Sequence, residues 1–86
     1  MKLTKAELAI LKYLRNFNMT VKDSVIGTRA GNQPAKTAKE WTFKNIQSLL
    51  KKGYVISGYS WETGSYMITN EGRFLIKDIK KQEQGQ

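Results

Sequence analysis

The apolar period of this chain changes at Gly53, and that change limits its fold more than any other feature. Upstream, Ile46, Leu49 and Leu50 recur at helical spacing; downstream, Tyr54, Val55, Ile56, Tyr59 and Trp61 read as strand. A helix therefore ends at Gly53 and runs straight into a β-hairpin. Lys51 and Lys52 complement the negative end of the helix dipole, and Gly53 supplies the left-handed residue that stops the helix. At the other end, Thr37 and Glu40 have the spacing of a capping box, in which each side chain satisfies the other's backbone N–H. Lys39, Lys44 and Gln47 fall on the side away from the apolar stripe.

A second capping box is expected at Thr4 and Glu7, with Leu3 and Leu8 placed as a hydrophobic staple. Leu8, Leu11, Leu14 and Phe17, flanked by Ile10 and Tyr13, carry this helix over residues 5–17. Thr20 and Asp23 mark the start of a short second helix with Val21, Val25 and Ile26 inward. Either Gly27 stops it, or it runs to Ala30 with Gly31 as its cap. Residues 31–36 are the clearest loop, with Pro34 inside it or at the first position of the third helix. Glu62-Thr63-Gly64 turns the hairpin, and Tyr66 and Ile68 return it. Thr69 or Asn70 caps a last helix with Phe74, Leu75 and Ile79 in a narrow seam. The expected fold class is α+β: three helices, a two-stranded β-hairpin and a C-terminal helix. It forms one domain over residues 1–81, with a disordered polar tail over 82–86.

With no cysteine and no histidine, the chain has no disulfide and lacks both the usual zinc ligands and the usual general base near neutral pH. An enzyme, a cofactor or a metal is not expected. No apolar run approaches the ~20 residues of a membrane helix, and the first residues lack the apolar core of a secretory signal, so a cytoplasmic protein is expected. Fifteen Lys and Arg against seven Asp and Glu give a net charge of +8, which favours polyanions through steering and counterion release.

Two stretches then carry a family likeness. Leu49-Leu50-Lys51-Lys52-Gly53-Tyr54-Val55 and Tyr66-Met67-Ile68-Thr69-Asn70-Glu71-Gly72-Arg73 lie at the separation that leaves one hairpin between them. In this the chain resembles the winged helix-turn-helix superfamily, and within it small bacterial, archaeal or phage regulators of the MarR and PadR kind. The resemblance implies that helices 2 and 3 form a helix-turn-helix, with the hairpin as a wing and helix 3 in the major groove of double-stranded DNA. It implies a nucleoid-associated transcription regulator. Lys39, Lys44, Asn45 and Gln47 would face the groove, Phe43 would meet a thymine methyl or a protein surface, and Arg29 and Lys36 would hold flanking phosphates. Phe74, Leu75 and Ile79 would join two copies in a homodimer.

Two features depart from the family pattern. Residues 27–37 make a long passage between helices 2 and 3, and the wing tip, Trp61-Glu62-Thr63-Gly64-Ser65, has neither Lys nor Arg, so no minor-groove arm is expected. The competing reading is a winged-helix protein-interaction module, such as a phage or plasmid antirepressor or assembly factor, that uses its aromatic wing. No small-molecule ligand is indicated, for want of a second domain or a pocket-like composition. Of the remaining helix 3 residues, Trp41 leans toward the core, and the Thr42 hydroxyl bonds the backbone one turn back.

Overall fold

Helix α1 (Lys5–Leu14) begins as its sequence dictates. The Glu7 N–H donates to Thr4 Oγ1 at 3.1 Å and the Thr4 N–H to Glu7 Oε1 at 2.8 Å, closing the capping box. In this computed structural model, which describes residues 3–58 and 64–84, the helix buries Ile10, Leu11 and Leu14. It ends at Leu14 rather than near residue 17. The segment that follows it is held from the last helix of the chain: the Arg73 guanidinium donates to the carbonyls of Arg15 (2.9 Å) and Phe17 (2.7 Å) and to Asn18 Oδ1 (3.0 Å).

The segment expected to open the second helix instead starts with a strand. Val21–Lys22 forms β1, which pairs antiparallel with Tyr66 and Ser65 of β3 (Ser65–Ile68). The β2 strand (Val55–Ser57) flanks β3 on its other side, in the register Val55 to Ile68, Ile56 to Met67 and Ser57 to Tyr66. The sheet thus has three strands in the order β1-β3-β2, not two. Val21 is buried in the sheet, and α2 (Asp23–Arg29) turns Ile26 and Gly27 inward while Val25 stays exposed, correcting the inward set expected for it.

Helix α2 continues through Gly27 because α3 crosses it there. Any Cβ at that position would collide with the Ala38 carbonyl, so only glycine permits this approach. The link to α3 (Ala35–Lys52) is accordingly shorter than expected, residues 30–34, with Asn32 in the left-handed region. The α3 helix starts before Thr37. Pro34 is its N-cap in an extended conformation with no side-chain cap, and the expected Thr37–Glu40 capping box is absent. Instead the Thr37 hydroxyl approaches Gln33 Oε1 and the Pro34 carbonyl, both at 3.4 Å. At the other end Gly53, at φ 80, stops α3 as anticipated.

Thr69 caps α4 (Asn70–Gln84): its hydroxyl accepts from the Gly72 N–H at 3.1 Å and donates to the Gly53 carbonyl at 2.6 Å, joining the start of α4 to the end of α3. The inward residue of α4 is Ile76, with Leu75 packed beside the core. The expected seam is therefore narrower, with Leu75 and Ile79 half-buried and Phe74 67% exposed. The α4 helix also extends to Gln84, into the stretch expected to be a disordered tail. Among the described residues there are four helices and a three-stranded antiparallel sheet, an α+β architecture, and no helix is long and apolar enough to cross a membrane.

Candidate nucleic-acid interface

Helix α3 presents two unlike sides. Ala38, Thr42, Ile46 and Leu49 are fully buried, and Trp41, Ser48 and Leu50 half-buried beside them. At ~3.6 residues per turn, Glu40, Lys44, Gln47 and Lys51 lie nearest the direction opposite that core, and all four are exposed. Lys36, Lys39 and Phe43 occupy one flank, also exposed, with 60% of Phe43 open to solvent.

The inward side is anchored by a polar contact that stiffens the presentation of the outward one. The Thr42 hydroxyl reaches the Ala38 carbonyl at 3.0 Å, the back-bond expected one turn away, and also the Asp23 carbonyl at 2.7 Å. It thereby fixes α3 to the first turn of α2. No local pattern announces the second contact, because it joins residues far apart in sequence. The Trp41 indole lies over Gly31 and packs against the core, leaving Phe43 as the outward aromatic.

The structure brings most of the expected site residues to the surface, but not as equals. Arg29 is exposed in the last turn of α2 and Lys36 in the first turn of α3, on either side of the short link. Lys39, Phe43, Lys44 and Gln47 are exposed along α3, and the Gln47 amide donates to the Phe43 carbonyl at 3.2 Å. Asn45 stands apart from them. It is half-buried on the Trp41 flank, where its Nδ2 donates to the Trp41 carbonyl at 2.8 Å. Lys52 is exposed near the end of α3, and its charge acts on Glu7 of α1. Burial pushes the Glu7 carboxyl up, but the Thr4 N–H, the Ser48 and Thr4 hydroxyls and the Lys52 charge outweigh it, leaving the carboxyl below its ordinary value. Lys51 lies in the last turn of α3, as read from sequence, and also shares the outward face with Lys44.

Glu40 was missed as a member of this face, because its spacing from Thr37 matches a cap. Counting from Thr42, Ile46 and Leu49 places it outward. The face is therefore four lysines, a glutamine, a phenylalanine and one carboxylate, an arrangement suited to an extended anion that also carries apolar and hydrogen-bonding groups.

A second surface lies on the outer side of the sheet. Ile56 and its cross-strand partner Met67 point away from the core, and with Met19 they line an open groove of about 540 Å³. The expected aromatic wing residues Tyr59 and Trp61 lie outside the described residues. No protein family, no curated protein and no solved structure matches this chain.

Proposed function

We propose that this chain is a winged-helix protein that binds double-stranded DNA, with the outward side of α3 in the major groove and the β2–β3 hairpin as its wing, and that it acts as a small transcription regulator in the cytoplasm. One observation carries the reading: Lys36, Lys39, Lys44 and Lys51 are exposed along an 18-residue helix whose opposite side is fully buried, in a chain of net charge +8. Lys39, Lys44 and Lys51 meet phosphates or, for Lys44, the acceptors of guanine. Phe43 packs on a thymine methyl, and Gln47 offers an amide to a base edge. Arg29 and Lys36 hold phosphates beside the first turn of α3, whose N–H groups have no side-chain cap. Asn45 is left out of the reading face because it is half-buried on the Trp41 flank, whereas Gln47 is exposed. Phe74 is the apolar residue around which two copies would join.

A protein-interaction module is the second reading, favoured by the apolar groove of Met19, Ile56 and Met67. Affinity for random duplex DNA at two salt concentrations separates the two. With Arg29 and four lysines in contact, binding should fall several hundredfold, on the order of 10²–10³, between about 50 and 200 mM salt. Weak binding that does not change with salt would contradict the DNA reading and leave the groove as the better guide.

A further inference from the structure

We infer that Glu40 is a specificity-determining residue that selects a cytosine in the DNA strand facing α3, an inference that rests on the DNA-binding reading above. Glu40 is exposed on the outward side of α3, with Lys36 one turn before it and Lys44 one turn after. Yet among the described residues its carboxylate has neither an ion pair nor a hydrogen bond. It does not cap the helix either, because α3 starts at Ala35. Its use to the fold is limited to the weak attraction of Lys36 and Lys44 at i−4 and i+4 on an exposed helix face, while against a polyanion its charge opposes binding.

A carboxylate can only accept hydrogen bonds. In the major groove, phosphate oxygens, guanine N7 and O6 and thymine O4 are all acceptors and repel it; the donors are cytosine N4 and adenine N6. Adenine sets the acceptor N7 beside its amino group, against the second carboxylate oxygen. Cytosine has only a carbon-bound hydrogen at C5 in that place, so it is the base that Glu40 fits best. Phe43, one turn further along α3, then lies beside the C5 edge of the neighbouring pyrimidine, where a thymine methyl packs on its ring. Lys36 and Lys44 lower the cost of holding a carboxylate close to the backbone phosphates. Glu40 thus trades general affinity for discrimination.

The test is selection of bound sequences from random duplexes with the wild-type chain, Glu40→Ala and Glu40→Gln, followed by affinities for a selected duplex and its C·G to T·A substitution. Wild type should recover an invariant cytosine, and the substitution should weaken its binding on the order of tenfold. For Glu40→Ala that penalty should shrink to about twofold or less, while affinity for random duplex rises. Glu40→Gln should shift the preferred base from cytosine toward adenine, which a side-chain amide can pair on two edges. Because Glu40 is exposed, matching melting curves for all three chains should show that the fold is kept. Duplex binding by Glu40→Ala with the same cytosine and the same penalty would overturn the assignment while leaving DNA binding intact, as would wild-type binding with no selected cytosine. No duplex affinity in the wild type would overturn the DNA reading and this assignment with it.

Discussion

Along α3, Ala38, Thr42, Ile46 and Leu49 meet no solvent, whereas half a turn away Glu40, Lys44, Gln47 and Lys51 are exposed. Both sides belong to the same helical turns, so backbone propensity treats them alike. What separates them is contact: the first side closes the core and carries the α2 junction, and the second takes no part in the core. Stability and binding should accordingly respond to different residues of one helix.

The largest effect that would sharpen this contrast is loss of a core side chain. Ile46→Ala should cost about 3 kcal/mol in urea unfolding, within the usual span for deleting a fully buried isoleucine. A cost below about 1 kcal/mol would mean that the inward side is not the one closing the core. Thr42→Val keeps the shape but removes the hydroxyl shared by the Asp23 and Ala38 carbonyls, and should cost about 1–2 kcal/mol. If instead it stabilises the protein, the tie to α2 is not a structural anchor.

The parts legible from sequence were those settled within a few residues. The Thr4–Glu7 box, the Gly53 stop and the Thr42 back-bond depend on local spacing, and all three are present. The β1 strand was illegible because two residues hold no period; its existence is set by Tyr66 and Ser65, far along the chain. Thr37 and Glu40 show the opposite failure. Their spacing fits a cap, but the same spacing also occurs inside a helix, and the extended Pro34 starts α3 earlier. Of the candidate site, the outward placement of Lys39, Lys44 and Gln47 followed from periodicity, whereas the bond of the Asn45 amide to the Trp41 carbonyl depends on a rotamer that no spacing reveals.

A smaller effect concerns acid. Because the folded-state Glu7 carboxyl is lowered, its contribution is present above the ordinary glutamate range and is lost as pH falls through the folded value. Denaturant midpoints of wild type and Glu7→Gln should therefore differ near neutral pH and converge as pH falls below about 4. A gap that widens toward acid would show that burial, not the Thr4, Ser48 and Lys52 partners, dominates at Glu7. The smallest effect on stability belongs to the outward side. Lys44→Ala should leave the unfolding free energy within about 0.5 kcal/mol of wild type, and thermal melts showing a larger loss would reveal a packing role that the exposed side chain does not suggest.

The most direct measurement is duplex affinity against salt for wild type and for the variant with Lys36, Lys39 and Lys44 all changed to alanine. If this side of α3 meets the phosphates, the plot of log affinity against log salt should be about three units shallower for the variant, and affinity at low salt much weaker. Equal slopes and equal affinities in the two folded proteins would show that DNA, if bound at all, is bound elsewhere.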